Sequence, residues 1–246
     1  MVYKRLERIL IHLDAVDSTN SYASKLFKTT KVASGTVVIA KNQHGGRGQR
    51  SNVWTAEAGK NLTCSIIFFP SIKIDKAFYL NIAVSLAVRK TLEDLSIQAK
   101  IKWPNDILVN DKKICGILIE NQLAGQMVNT SVIGIGLNIN QLDFAEGINA
   151  TSIQLEKKQK VEVMDVFDHL YGYLDFYLNL LMEQNWSLLK KHYYQFLYLL
   201  DAEAKFEDAN GIFNGKIVGI SENGLLLIQT ASEKREYDIQ ELKYVY

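Results

Sequence analysis

Four short stretches of this sequence combine residue types and spacings that can do chemistry. The first is Gln43-His44-Gly45-Gly46-Arg47-Gly48-Gln49-Arg50-Ser51-Asn52-Val53-Trp54. Three glycines within four positions let the backbone turn tightly and approach a ligand, with amide N–H groups free to point at anionic oxygens. Arg47 and Arg50 add planar forks that match phosphate or carboxylate, and Trp54 offers a face to a flat ring. No acid occurs from Lys41 to Ala56, so an anion is the guest this loop suits. Taken alone, Gly-Gly-Arg-Gly fits a disordered tract or a plain surface turn equally well.

The second stretch is Lys102-Trp103-Pro104-Asn105-Asp106-Ile107-Leu108-Val109, which leads to Lys113-Ile114-Cys115-Gly116-Ile117-Leu118-Ile119-Glu120. A hairpin turn at Asn110-Asp111-Lys112-Lys113 would bring Asp106 and Lys113 to one pocket; a lysine in a turn is otherwise a solvated charge. The third is Gly134-Ile135-Gly136-Leu137-Asn138-Ile139-Asn140, where glycines in a strand leave room for a ligand or a neighbouring backbone. Asn138 and Asn140 share one alternating face, or simply begin a turn. The fourth is Ser18-Thr19-Asn20, whose hydroxyl and amide groups both donate and accept hydrogen bonds. Capping a helix is the ordinary use of such residues.

The elements that must hold these stretches are legible from periodicity. Strands are expected at 9–13, at 37–40 and at 61–69, the last with Leu62, Cys64, Ile66 and Phe68 on one buried face. A helix opened by Ser18 or Thr19 carries Tyr22 and Leu26, and a scaffold helix spans 76–95. Pro104 breaks the ladder of the strand at 97–103, and a bulge or bend there would aim Asn105 and Asp106 out of the sheet. A strand covers 128–140, a loop 141–159 carries the solvated Lys157-Lys158 pair, and aromatic-rich helices cover 161–183 and 185–200. From Asp201 the pattern changes to short strands and turns such as Glu222-Asn223-Gly224, the mark of a small β-barrel.

The chain has 246 residues, 48% hydrophobic and 22% charged, enough apolar material for one sizeable domain and a small one. A net charge of +1 gives no global reason to expect nucleic acid or a membrane. Cys64 and Cys115 sit in apolar runs and read as small buried residues, with no Cys/His cluster at metal-ligand spacing. The expectation is a cytoplasmic protein without leader or membrane span.

The glycine loop, the Lys102-to-Glu120 stretch and the Gly134-to-Asn140 stretch, in that order, resemble the catalytic domain of the biotin protein ligases across Asp17 to Asn140. The resemblance implies an α+β fold: a class II synthetase-like mixed sheet with helices packed on it (1–200), then an SH3-like β-barrel (201–246). It implies that ATP, carried with Mg²⁺ and without direct protein ligands to the metal, activates biotin as biotinyl-AMP. The acyl group then passes to a lysine of a biotin carboxyl carrier protein or domain. By motif, Ser18, Thr19, Asn20 and Gln43 would hold the biotin head, and Gly46, Arg47 and Gly116 would frame its pocket. Lys113 would pair with the biotin carboxylate, Asp106 would orient or deprotonate the acceptor lysine, and Lys113, Arg47 and Asp106 form the catalytic set. Arg47, Gly48, Gln49, Arg50, Trp54 and Asn138 would meet the adenylate.

Ser18 lies near the start of the sequence, so the expectation is a monofunctional ligase without the N-terminal DNA-binding domain of regulatory members. Edge strands in this family pair into homodimers, which the resemblance allows here. The alternatives are a lipoate or octanoate ligase or transferase of related fold, and, from another class, a non-catalytic biotin-binding regulator. Two departures from the family pattern Gly-Arg-Gly-Arg-x-Gly-Arg-x-Trp stand out: Gln49 replaces its second arginine, and Ser51-Asn52 replace the following Gly-Arg. Those positions fold over the bound adenylate in the family. Biotinyl-AMP should therefore leave this protein faster than it leaves a homologue with both arginines; an equally slow off-rate, measured side by side, would refute this.

Overall fold

The structure is a computed structural model and describes residues 6–49 and 52–245. Strand β1 (Leu10–Val16) runs into helix α1 (Thr19–Thr29), which returns the chain as β2 (Val37–Gln43), parallel to β1. Then come β3 (Leu62–Phe68), β4 (Ile72–Lys73), helix α2 (Phe78–Asp94), β5 (Lys100–Lys102), β6 (Asp106–Val109), β7 (Lys112–Ala124) and β8 (Met127–Leu137). These strands form one eight-stranded mixed sheet in the order β1-β2-β3-β8-β7-β6-β5, with β4 on β8 beside that path. Only the β1–β2 pairing is parallel.

The sheet is covered on both sides. Helix α2 has Phe78–Asp94 almost wholly buried, between the sheet and the helices α4 (Val163–Met182) and α5 (Trp186–Phe196). A helix buried all round reads as weakly amphipathic, and its one deep charge is matched: Arg89 lies 3.4 Å from the centre of the Phe196 ring and 2.5 Å from Glu93. On the opposite side α1 covers β2, β3 and β8 through Ala23, Val38, Ile67 and Val132. All seven residues of β3 are therefore buried, not only the alternate set expected from its pattern. The thiol of Cys64 is pushed up to about 12 by burial, and that of Cys115 moves the same way, so both are inert packing groups.

Local chemistry explains the turns that matter. Ser18 caps α1, its hydroxyl accepting from the Ser21 amide, and the β6–β7 hairpin turns through Asn110 and Asp111 at positive φ of 48° and 61°. Between β5 and β6 the chain bends at Pro104 as expected, through a turn at 103–105 that brings Asp106 to the wall of a cavity. Asn105 is turned inward, its side-chain amide donating to the Ile117 carbonyl at 2.7 Å while its own carbonyl accepts from Ile117. Buried polar groups at a strand end need partners, and β7 supplies them. The loop expected at 141–159 contains a short helix, α3 (Ile153–Lys157), and Lys157 is not simply solvated: its ammonium donates to the Leu95 carbonyl at the end of α2.

Beyond α5, strands β9 (Glu203–Asp208), β10 (Gly211–Ile220), β11 (Leu226–Gln229), β12 (Lys234–Tyr237) and β13 (Lys243–Val245) form a five-stranded antiparallel sheet in the order β12-β11-β10-β9-β13. Its core is continuous with that of the large sheet. Trp103 Nε1 donates to the Gly224 carbonyl at 2.9 Å, Tyr194 exchanges hydrogen bonds with Ile220, and Glu222 pairs with Lys76 and Lys190. Gly224 sits at φ +88°, where a side chain is strained, and a Cβ there would overlap the Phe78 ring. Gly224→Ala should destabilise the protein by about 1–3 kcal/mol in urea unfolding; an unchanged midpoint and slope would show that this junction yields freely.

Candidate active site

The pocket is built on one face of the middle of the large sheet. Register places Thr63 of β3, Gly136 of β8, Gly116 of β7 and Asp106 of β6 side by side in one row. The next row holds Ser65, Gly134 and Leu118. Three positions of these two rows lack side chains, and the sheet is low there because other groups lie on it. A Cβ at Gly134 would overlap the Asn20 amide, one at Gly136 the Trp54 indole, and one at Gly116 would crowd Lys113 Nζ at 3.2 Å. The cavity above has a volume of about 340 Å³, within the range of small-ligand sites. Ser18, Thr19, Asn20, Gln43, Arg47, Gly48, Gln49, Trp54, Asp106, Lys113 and Gly116 all line it.

Most of the residues expected to act together are thus brought together. Lys113 Nζ lies 2.6 Å from Asp106 Oδ1, a charge pair outside hydrogen-bond geometry, and 5.9 Å from the Trp54 ring. At the other end, Thr19 donates to Gln43 Oε1 through its amide at 2.8 Å and its hydroxyl at 3.1 Å. Ser65 Oγ lies 2.7 Å from Thr19 Oγ1 and 2.6 Å from Asn20 Oδ1, with one proton to give between them. Asn20 Nδ2 donates to Glu120 Oε2 at 2.8 Å, and Arg47 Nη2 donates to the same oxygen at 2.9 Å. A chain of polar contacts therefore runs from Gln43 through Thr19, Ser65, Asn20 and Glu120 back to Arg47, bridging the glycine loop from one end to the other.

Several expectations change. The glycine-loop amides are not all free for an anion: Gly45 donates to the Asp17 carbonyl just before α1 and Gly48 to that of Asn52, each at 2.7 Å, the second because the loop folds into a small hairpin with Arg47 opposite Val53. Gly46 is required for that hairpin, since a Cβ would strike the Trp54 carbonyl, and it does not line the cavity. Asn138 is buried away from the cavity, its amide donating to the Thr151 carbonyl at 3.0 Å and so pinning the 141–152 loop. Arg50, together with Ser51, lies outside the described residues. Trp54 Nε1 is buried with no hydrogen-bond partner among the described residues, so the indole lies in the trough itself.

Other contributors carried weaker signals. Glu120 closes the second motif, and alternation from Gly116 puts it on the pocket face, but its partners come from elements 73 and 100 residues away. The pair with Arg47 is half-exposed and contributes on the order of 0.2–1 kcal/mol, so it orients the loop more than it stabilises the fold. Ile239, Leu242, Lys243 and Tyr244 of the C-terminal sheet form a further wall, next to Lys102, whose ammonium sits 4.6 Å from the centre of the Tyr244 ring. No local sequence pattern announces that closure. Among the described residues no cluster of three or more His, Cys, Asp or Glu can hold a metal, and no helix is long and apolar enough to cross a membrane.

The site is thus a mixed sheet carrying a basic loop and a Lys–Asp pair over a trough opened by three glycines, with a small C-terminal β-sheet joined to it. Residues 13–138 match the biotin/lipoate A/B protein ligase family, and residues 203–239 match the biotin protein ligase C-terminal domain. The chain belongs to the biotin/lipoate A/B protein ligase family. It is 33% identical over 226 residues to the bifunctional ligase/repressor BirA of Bacillus subtilis, covering 90% of this chain and 69% of that one. It is 34% identical over 130 residues to the biotin–[acetyl-CoA-carboxylase] ligase of Paracoccus denitrificans, covering 52% and 53%. The biotin protein ligase of Aquifex aeolicus, solved with biotin and ATP, superposes with a TM-score of 0.82 at 27% identity over 97% of this chain and 100% of that one.

Because Trp54 rests on Gly136, Gly136→Ala should displace the indole and alter the emission spectrum while leaving far-UV circular dichroism unchanged. A spectrum superposable on that of the parent protein would mean that the indole does not occupy the trough in solution.

Proposed function

We propose that the protein is an ATP-dependent biotin ligase that makes biotinyl-AMP and transfers biotin to a lysine of a carboxylase's biotin carboxyl carrier domain. The observation that carries this reading is the trough itself: Lys113 and Arg47 line one cavity with Ser18, Thr19, Asn20 and Gln43. Hydrogen-bonding residues for an uncharged polar ring and cations for a carboxylate and a phosphate lie within one connected pocket. The names of two of the relatives, the Paracoccus denitrificans and Aquifex aeolicus biotin ligases, point the same way over lipoate.

In the first step a biotin carboxylate oxygen attacks the α-phosphorus of ATP, the bond from that phosphorus to the β-phosphate oxygen breaks, and pyrophosphate leaves. Two anions must meet, which fixed positive charge favours because it needs no solvent rearrangement at the moment of reaction. Lys113 leaves Asp106 to face the acid's oxygen and then the acyl phosphate, and Arg47 faces the phosphate. Mg²⁺ would be carried with the ATP phosphates, where it would offset their charge. In the second step the acceptor lysine, as a neutral amine, attacks the acyl carbon; an amide forms, AMP departs and Asp106 orients the amine or takes its proton.

Residue roles follow from position in the cavity. Gln43 spends its oxygen on Thr19, so its amide nitrogen is the end suited to the ligand. Gly48 and Gln49 line the nucleotide end with Trp54, and Arg50 is assigned there by motif alone. We divide the chain at 200/201 into a catalytic domain and an SH3-like domain, a boundary supported by the end of α5 at Phe196 and the start of β9 at Glu203. Two unbridged thiols and the use of ATP suit the cytoplasm, and pairing of strand edges is the route to a homodimer.

Biotin-dependent ATP–pyrophosphate exchange tests the reading, with lipoate and octanoate run in parallel. Exchange is expected with biotin alone, and Lys113→Ala should abolish it without shifting the thermal unfolding midpoint by more than a few degrees. Exchange with none of the acids, from folded protein supplied with Mg²⁺, would overturn the enzyme reading; retained exchange in the variant would remove Lys113 from the chemistry.

A further inference from the structure

The acid-free character of the glycine loop ends at Glu120. This carboxylate projects from β7, and one of its oxygens receives Arg47 Nη2 at 2.9 Å and Asn20 Nδ2 at 2.8 Å. The two donors come from two different elements, the loop and α1. Asn20 is itself immobilised, buried against Gly134 and hydrogen-bonded to Ser65, whereas the Arg47 side chain is 48% exposed. Glu120 therefore links a fixed group to a movable one. A guanidinium carries five donors in a rigid fork, so a carboxylate holding one nitrogen sets the plane in which the others face the cavity.

We propose that Glu120 is a positioning residue for the adenylation step: it tethers Arg47 to the seated Asn20, so that the fork already lies over the trough when the carboxylate and phosphate arrive. The assignment rests on the activity proposed above, and it makes a separate statement about the free protein. Without the tether the loop backbone is still held by its own small hairpin, by Gly45 on Asp17 and by Trp54 on Gly136, but none of these fixes the Arg47 side chain. With it, the orientation of Arg47 is settled before binding, and the entropy of ordering a long side chain is not charged to the reaction.

Two measurements test this on the full-length protein, with Glu120→Ala and the charge-neutral Glu120→Gln, which keeps an acceptor oxygen. In the ligand-free state, tryptic cleavage after Arg47 and Arg50 should be faster in Glu120→Ala than in the parent, with Glu120→Gln between them and the thermal midpoints alike. In biotin-dependent exchange, Glu120→Ala should lose about ten- to a hundredfold in kcat/KM, and Glu120→Gln should recover part of it. The double variant Arg47→Ala/Glu120→Ala should be no worse than Arg47→Ala, because a residue that acts through Arg47 has nothing left to position. Unchanged cleavage overturns the proposal, as do losses that multiply in the double variant. A parent protein without biotin-dependent exchange would overturn the activity instead, and cleavage would still decide the tether.

Discussion

The site depends on two central strands giving up their side chains. Gly134 and Gly136 on β8 and Gly116 on β7 leave the sheet surface bare, and Asn20, Trp54 and Lys113 occupy the space a Cβ would need. Helix α1 and the glycine loop come into contact with the sheet because of this, and without it the polar end of α1 would be lifted away from β8. Close approach brings an obligation, since a buried polar group left without a partner costs about 1–3 kcal/mol. The buried groups of Thr19, Asn20 and Ser65 meet it through Gln43, Glu120 and one another, the single Ser65 proton going to Thr19 or to Asn20, and the polar contacts run from Gln43 to Arg47. A satisfied network of this kind is stiff, and stiffness is what a site for two repelling anions requires.

The two cations assigned to the chemistry each stand beside an acid brought from another part of the sheet. Lys113 has Asp106 across the β6–β7 hairpin, and Arg47 has Glu120. The loop is basic over sixteen residues of sequence, yet its central charge is balanced in space. Such pairs add little to stability at half-exposed positions, but they keep long side chains in place and prevent the two cations from repelling each other out of the trough. An arriving anion then exchanges one partner for another. The C-terminal sheet completes the enclosure: Trp103, next to Pro104 in the second motif, anchors the Gly224 turn, and residues 239–244 form a wall of the cavity. Its attachment is thus part of the site.

Much of this was legible in the residues. The motifs spelled out Ser18 to Asn20, Gln43, Arg47, Trp54, Asp106, Lys113 and Gly116, and hairpin chemistry at Asn110-Asp111 correctly joined Asp106 to Lys113, because a two-residue turn with both residues at positive φ is a local property. Strand and helix placement for α2, β3, β8, α4 and α5 followed from apolar period. Asn138 failed as a pocket residue: alternation gives a face but not the partner, and Thr151 claimed its amide first. The amides of Gly45 and Gly48 were spent for the same kind of reason, the first on Asp17 ahead of α1 and the second as the loop closed on itself.

What the sequence by itself determined is therefore the chemistry available and the elements that carry it, since capping, turns and period are set by neighbours within a few residues. Only the tertiary structure decided which charges far apart in the chain would be neighbours. Glu120, Asn20 and Arg47 meet through strand register and helix packing, and Lys243 and Tyr244 reach the pocket because one buried core joins two sheets. Those contacts span up to 100 residues and more of chain, and nothing in a local pattern encodes a distance between elements that only burial brings together.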